Sequence, residues 1–125
     1  MSSIPESVLT AWEERKGPTV FTTVDKAGIP NAVYVTCVRQ HGNDSFVIAD
    51  NYFGKTRENI KSGSRGTLLF ISNAGKSFQI KGSIEYQTEG ALFDEMKSWN
   101  PSRLPGIAAT LLKVEQVFSG SEQLA

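Results

Sequence analysis

The sequence is poor in reactive side chains: it has one cysteine, Cys37, and one histidine, His41. A lone cysteine excludes an intrachain disulfide, so packing alone must hold the fold. That usage fits a reducing compartment, and a cytoplasmic setting is the expectation. One cysteine and one histidine also fall short of a usual zinc site. No apolar run approaches the roughly 20 residues that cross a bilayer as a helix. The stretch MSSIPESVL lacks the basic and apolar regions of a signal peptide. Thirteen basic residues balance thirteen acidic ones, so no global field draws in nucleic acid or anionic lipid. Repeats, low-complexity tracts and linkers are missing as well.

What is present reads as one domain, 1–125. A chain of 125 residues buries roughly two-thirds of its unfolded surface, enough for a core. Hydrophobic residues at 39% and charged residues at 21% place it with ordinary soluble proteins rather than disordered chains.

Ser3-Ile4-Pro5-Glu6 has the pattern of a capping box with proline in the first turn. Val8, Leu9 and Trp12 follow at helical spacing, and Gly17-Pro18 stops the helix. Thr19–Asp25 is rich in β-branched residues and ends in the turn Lys26-Ala27-Gly28. Asn31–Arg39 is apolar on both faces, the pattern of a strand covered on two sides. His41-Gly42-Asn43-Asp44 is a turn, and Ser45–Ala49 is a third strand, giving a meander of hairpins. A short helix spans Lys55–Ser62, with glycine after it. Thr67–Ser72 and Ser77–Thr88 are strands around a turn. Glu89-Gly90 introduces a helix carrying Leu92, Phe93 and Met96. The stretch from Trp99 to Gly106 is irregular. Ala108–Ser119 is a last strand whose second half alternates imperfectly. Six strands with short connections point to a mainly β protein, a barrel rather than a parallel α/β sheet.

Few residues offer chemistry. His41 in its turn reads as solvated, with no nucleophile beside it. Cys37 in an apolar strand reads as packing. Gly54-Lys55-Thr56 matches the tail of a P-loop, but the glycine required five positions earlier is Ala49, and the α/β context is missing. The same three residues suit a phosphate. Gly54 lets backbone approach closely, the following helix presents free N–H groups, Lys55 brings charge and Thr56 a hydroxyl. Asp50 reads as a cap of the loop, since its charge repels an anion. Arg57 can reach a phosphate or pair with a surface acid. The alternative is a loop capping an ordinary amphipathic helix, and the pattern alone leaves both open.

The order of motifs resembles the FMN-binding split-barrel family related to pyridoxamine 5'-phosphate oxidase, its short single-domain type. The motifs are Thr22-Thr23-Val24-Asp25 with Gly28-Ile29-Pro30-Asn31, Val47-Ile48-Ala49-Asp50-Asn51, and Lys55-Thr56-Arg57-Glu58-Asn59-Ile60. Phe78 to Tyr86 and Thr88-Glu89-Gly90 follow. The likeness covers most of residues 17–118. It implies a six-stranded antiparallel Greek-key barrel with two or three short helices, working as a homodimer with FMN between subunits. Lys55 and Thr56 match positions that hold the phosphate, and Asp50 and Asn51 the strand end beside it. Asn31, Val33, Tyr34, Val35 and Thr36 match the strand running along the flavin ring, although Val33, Tyr34 and Val35 equally suit a plain core. Ser77, Phe78 and Gln79 begin a strand where phosphate or ring contacts fit, and Trp99 and Pro101 match a segment reaching the other subunit's flavin. The chain stops short of the segment with which pyridoxamine phosphate oxidases hold their substrate. The family also contains haem and deazaflavin binders. The resemblance therefore implies an FMN-dependent oxidoreductase of an unnamed small molecule, or an FMN electron carrier without a substrate of its own.

Overall fold

The computed structural model describes residues 3–125. Its helices are α1 (Glu6–Glu13), α2 (Lys55–Lys61) and α3 (Ala91–Trp99). Its strands are β1 (Thr19–Val24), β2 (Pro30–Val35), β3 (Val38–His41), β4 (Ser45–Asp50), β5 (Gly66–Ile71), β6 (Ser77–Gln87), β7 (Ala108–Ser119) and the short β8 (Glu122–Gln123). All pairings are antiparallel, in the order β2-β1-β5-β6-β7-β4-β3, with β8 against the end of β7. The crossover between chain order and sheet order is the Greek-key arrangement expected. Among the described residues, no helix is long and apolar enough to cross a membrane.

The expected six strands are eight among the described residues: β8 follows β7, and the run Asn31–Arg39, expected as one strand, is two. β2 pairs with β1, and β3 pairs with β4. The two strands lie at opposite ends of the sheet order, yet only Thr36 and Cys37 separate them. Three Cα steps span at most roughly 11 Å. Seven strands laid flat would hold the two edges about 29 Å apart. The sheet must therefore curl until its ends meet, and the barrel opens only where β2 passes to β3. The expected meander is thus two hairpins on either side of that split. β2 is not covered on both sides either. Tyr34 is 76% exposed and Val33 half-buried, while Val35 is buried.

The inside of the barrel holds Phe21, Phe46, Ile48, Leu68, Ile80, Leu112 and Val114. Side chains of this kind contribute about 1.5–3 kcal/mol each on burial. α1 sits at the end where β4 and β6 begin. Its Trp12 meets Phe46 and Phe70 edge-on at 4.9 and 5.1 Å between ring centres. The expected capping box is not made. Pro5 itself is the N-cap (φ −56°, ψ 145°), and no side chain caps the helix. A residue before proline is pushed to extended backbone, so the helix cannot start at Ile4. α2 packs at the other end of the barrel, where Asn59 donates to Thr23 at 3.0 Å. α3 covers the outside of β4 and β7 through Met96, Val47, Ala49, Ala109 and Leu111. That explains why β4 is buried along its whole length.

The imperfect alternation of β7 has a local cause. Lys81 pairs with Gln116 but Gly82 with Val114, so Glu115 is an extra residue, a bulge. The bulge resets the faces: Val114 and Val117 both point inward, and Phe118 lies on the outside opposite Gln79. Gly82 allows this crossing. A Cβ there would stand 1.9 Å from the carbonyl oxygen of Lys113, which is backbone and cannot swing away. Gly82→Ala is expected to destabilise the barrel by roughly 1–3 kcal/mol or more, measured as a lower urea midpoint with little change in slope. An unchanged midpoint would show that the two strands separate at little cost.

Candidate functional site

β2 ends the strand order, so one edge of its backbone has no neighbouring strand. Along that edge lies a cleft of about 420 Å³, within the usual range of small-molecule sites. One wall is Asn31, Val33, Tyr34, Val35, Thr36 and Cys37. The other is Ala49 and the loop Asn51–Gly54 with Lys55 and Thr56; Arg103 and Leu104 close it. Three of these residues carry or share charge-binding chemistry at one end. Thr56 is buried, and its hydroxyl accepts a hydrogen bond from Asn31 Nδ2 at 3.0 Å. A hydroxyl that accepts in this way keeps its own proton to donate. Lys55 is about half exposed, and its ammonium stands 3.8 Å from Asp25 Oδ2. Gly54 precedes the helix without a side-chain cap, so the first N–H groups of α2 have no intrahelical acceptor. No acidic residue lines the cleft.

The loop that carries Lys55 is anchored by Asp50, which is fully buried. Asp50 accepts from the Phe53 N–H at 2.9 Å and from Arg57 at 2.8 and 3.0 Å; the Tyr86 hydroxyl donates to it as well. A buried carboxylate is tolerated only when paired and hydrogen-bonded, and here both conditions hold. The hydrogen bond to Asp50, then that to Tyr86, raises the already high affinity of Arg57 for its proton. Burial, and next the bond to Asp50, push the Tyr86 phenol up to about 12. A second anchor is a reciprocal amide pair. Asn51 donates to Asn100 at 3.1 Å, Asn100 donates back at 2.9 Å, and the Gly106 N–H adds a bond to Asn51 at 2.9 Å.

The candidate residues are thus brought together unevenly. Asn31, Val33, Tyr34, Val35, Thr36, Asn51, Lys55 and Thr56 all line the cleft. Asp50 lies beneath it with its acceptors engaged, and Arg57 turns inward to that carboxylate. Asn51 spends its side chain on Asn100. Ser77 begins β6 at the α1 end of the barrel, away from Lys55, and is exposed. Phe78 is buried against Phe70. Trp99 packs with α3 on the outer face and faces Arg39 at 5.2 Å. His41 lies near Glu95, 3.9 Å away, outside the cleft. Arg103 escaped the sequence reading, and Tyr52 and Phe53 entered it only as part of the phosphate stretch Asp50–Ile60. Arg103 lay in a stretch with no periodicity, and bonds to residues distant in sequence, Asn100 and Gly106 to Asn51 and Ile107 to Asp50, bring that stretch to the cleft. Among the described residues no cluster of three or more His, Cys, Asp or Glu side chains is arranged to hold a metal.

Fold and cleft together define the class: a split β-barrel with a cation-bearing cleft along an edge strand. The family model described as pyridoxamine 5'-phosphate oxidase matches residues 6–120, and the chain belongs to that family. An uncharacterised protein of Methanocaldococcus jannaschii is 24% identical over 102 residues, spanning 78% of this chain and 68% of that one. The crystal structure of HupZ from Group A Streptococcus superposes with a TM-score of 0.76 at 26% identity, covering 90% of this chain and 90% of that one. An FMN-binding protein of Syntrophomonas wolfei superposes at 0.76 with 18% identity, over 90% and 83% of the two chains, and shares the fold.

The Tyr86 shift carries a pH dependence. The unfolded chain loses this phenol's proton near pH ~10, whereas the folded protein keeps it to about 12. The folded state therefore binds more protons in this window. The stabilisation is complete below pH ~10 and lost as pH rises to about 12. Tyr86→Phe is expected to flatten the fall in Tm over that window relative to the unsubstituted protein. Parallel curves would mean that Tyr86 is not held in solution in its buried place beside Asp50.

Proposed function

We propose that the whole chain acts as one FMN-binding domain and works as an FMN-dependent oxidoreductase on a small molecule. The observation that carries this reading is the end of the cleft where the Thr56 hydroxyl, the Lys55 ammonium and the start of α2 converge. Together they provide one charge and several donors for a phosphate monoester, and no lining acid opposes it. The free edge of β2 supports the rest. Backbone N–H and C=O groups in alternation suit the donors and acceptors on the rim of an isoalloxazine ring. Val33 and Val35 supply apolar wall. A bound flavin would supply the redox chemistry itself. The chain's own residues would hold the phosphate, orient the ring along β2 and keep water from one face. Asp50, Arg57 and Tyr86 would act one layer further out, by fixing the loop that carries Lys55.

Haem is the poorer fit for this cleft. The only histidine, His41, faces Glu95 beside α3 rather than the β2 edge. The electron-carrier reading differs from the enzyme only in lacking a substrate, and the small size of the chain favours it. Rapid turnover of a small substrate by the isolated protein would decide for the enzyme.

A homodimer accords with the outer-sheet row Tyr34, Val20, Leu69, Gln79 and Phe118, in which Tyr34 and Leu69 are exposed and Val20 and Phe118 half-buried, with exposed Tyr52 at the rim of the cleft. A solution mass of one chain would count against it. The single cysteine accords with a cytoplasmic setting.

The purified protein is expected to be yellow, with a flavin absorption spectrum and FMN as the ligand released and identified by mass. A colourless protein that does not take up added FMN would overturn the reading. Lys55→Ala is expected to weaken FMN by about 1.5–3 kcal/mol, roughly tenfold to a hundredfold in Kd. An unchanged Kd would remove Lys55 from the site.

A further inference from the structure

The chain has five arginines. Four are committed. Arg15 donates to the Trp12 carbonyl and lies over its ring, and Arg39 faces Trp99. Arg57 pairs with Asp50, and Arg65 with Glu115. Arg103 alone has no hydrogen bond, ion pair or ring contact among the described residues, and it lines the cleft. Its position is nonetheless built. Leu104 N–H closes a turn on the Pro101 carbonyl at 2.9 Å. Lys97 donates to the Pro105 and Gly106 carbonyls at 2.9 and 3.3 Å. The Asn51–Asn100 pair ties the base of this turn to the floor of the cleft. Three independent attachments thus hold the turn that bears a guanidinium which none of the described residues neutralises.

We propose that Arg103 recognises a carboxylate or phosphate group on the second reactant that enters the cleft, a planar organic anion. This rests on the flavin reading above, because the Lys55 end is then taken by the cofactor phosphate. Lys55 also shares its charge with Asp25, and no lining acid competes for Arg103. A guanidinium offers two parallel donors, which match both oxygens of a carboxylate or two oxygens of a phosphate. Leu104, Tyr52 and Phe53 also line the cleft and offer apolar surface to the flat body of such a molecule. Arg103 is exposed and partnerless, so its removal leaves no buried group unsatisfied and the fold intact.

The test titrates the FMN-loaded protein with benzoate, phenyl phosphate and the neutral benzamide, read by the flavin spectrum. The benzoate and benzamide titrations, repeated by calorimetry on cofactor-free protein, read Arg103 without relying on flavin; phenyl phosphate is left out there because the Lys55 end is open to it. At least one anion is expected to bind tenfold or more tightly than benzamide, in line with a charge-assisted pair. Benzoate alone or phenyl phosphate alone names the carboxylate or the phosphate as the recognised group. In Arg103→Ala the preference is expected to fall within twofold, with FMN content and Tm kept, and Arg103→Lys is expected to retain part of it. An anion preference unchanged in Arg103→Ala, or no preference in either form of the unsubstituted protein, would overturn the proposal. So would a change in solution mass in Arg103→Ala, which would assign the residue to contact between copies. A protein that prefers benzoate by calorimetry, loses that preference in Arg103→Ala and yet takes up no FMN would overturn the flavin reading while leaving Arg103 as an anion site.

Discussion

Thr36 and Cys37 impose the constraint on which the rest depends. They join strands from the two ends of one sheet, and a link so short forces the sheet to close. Closure leaves one seam where the ladder of hydrogen bonds is broken. At that seam β2 keeps a free backbone edge, and the cleft is the space between this edge and the loop after β4. The cleft is thus a by-product of closing the barrel with too few residues to zip it shut.

Two kinds of anchor hold the seam open in a fixed shape. Asp50 gathers Phe53, Arg57 and Tyr86, which sets the loop that presents Lys55. A lone buried carboxylate would be costly, but this one is surrounded by donors, so it directs the chain rather than straining it. The cationic residues divide accordingly. Arg57 is spent inward on the loop, while Lys55 and Arg103 remain at the surface of the cleft.

Much of this was legible in the residues. β-branched runs and glycine turns marked the strands, and Gly54-Lys55-Thr56 marked the loop whose end now carries the convergent donors. What could not be read was anything that depends on strands distant in sequence. The break at Thr36-Cys37 is invisible because both flanks are equally apolar, and only pairing with β1 on one side and β4 on the other separates them. The bulge at Glu115 looked like poor alternation, because a single extra residue flips every face after it. The inward turn of Arg57 needed Asp50 and Tyr86 in place, 7 and 29 residues away in sequence. Arg103 had no local pattern at all. Ser77 sat next to suggestive neighbours but belongs to the start of a strand 11 residues long, so it lies at the far end of the barrel.

The pair between Asn51 and Asn100 has a consequence for how the protein ages. Asparagine degrades when the next residue's backbone nitrogen attacks its side-chain carbonyl and closes a ring. Asn100 is followed by Pro101, whose nitrogen carries no hydrogen, so this route to aspartate is blocked there. Asn51 is held by three bonds that keep its carbonyl turned toward Asn100 and Gly106. Conversion of either amide would put a carboxylate against an oxygen acceptor and release the turn that bears Arg103. The joint is therefore made from a chemically perishable side chain at two positions where the chain itself slows the decay.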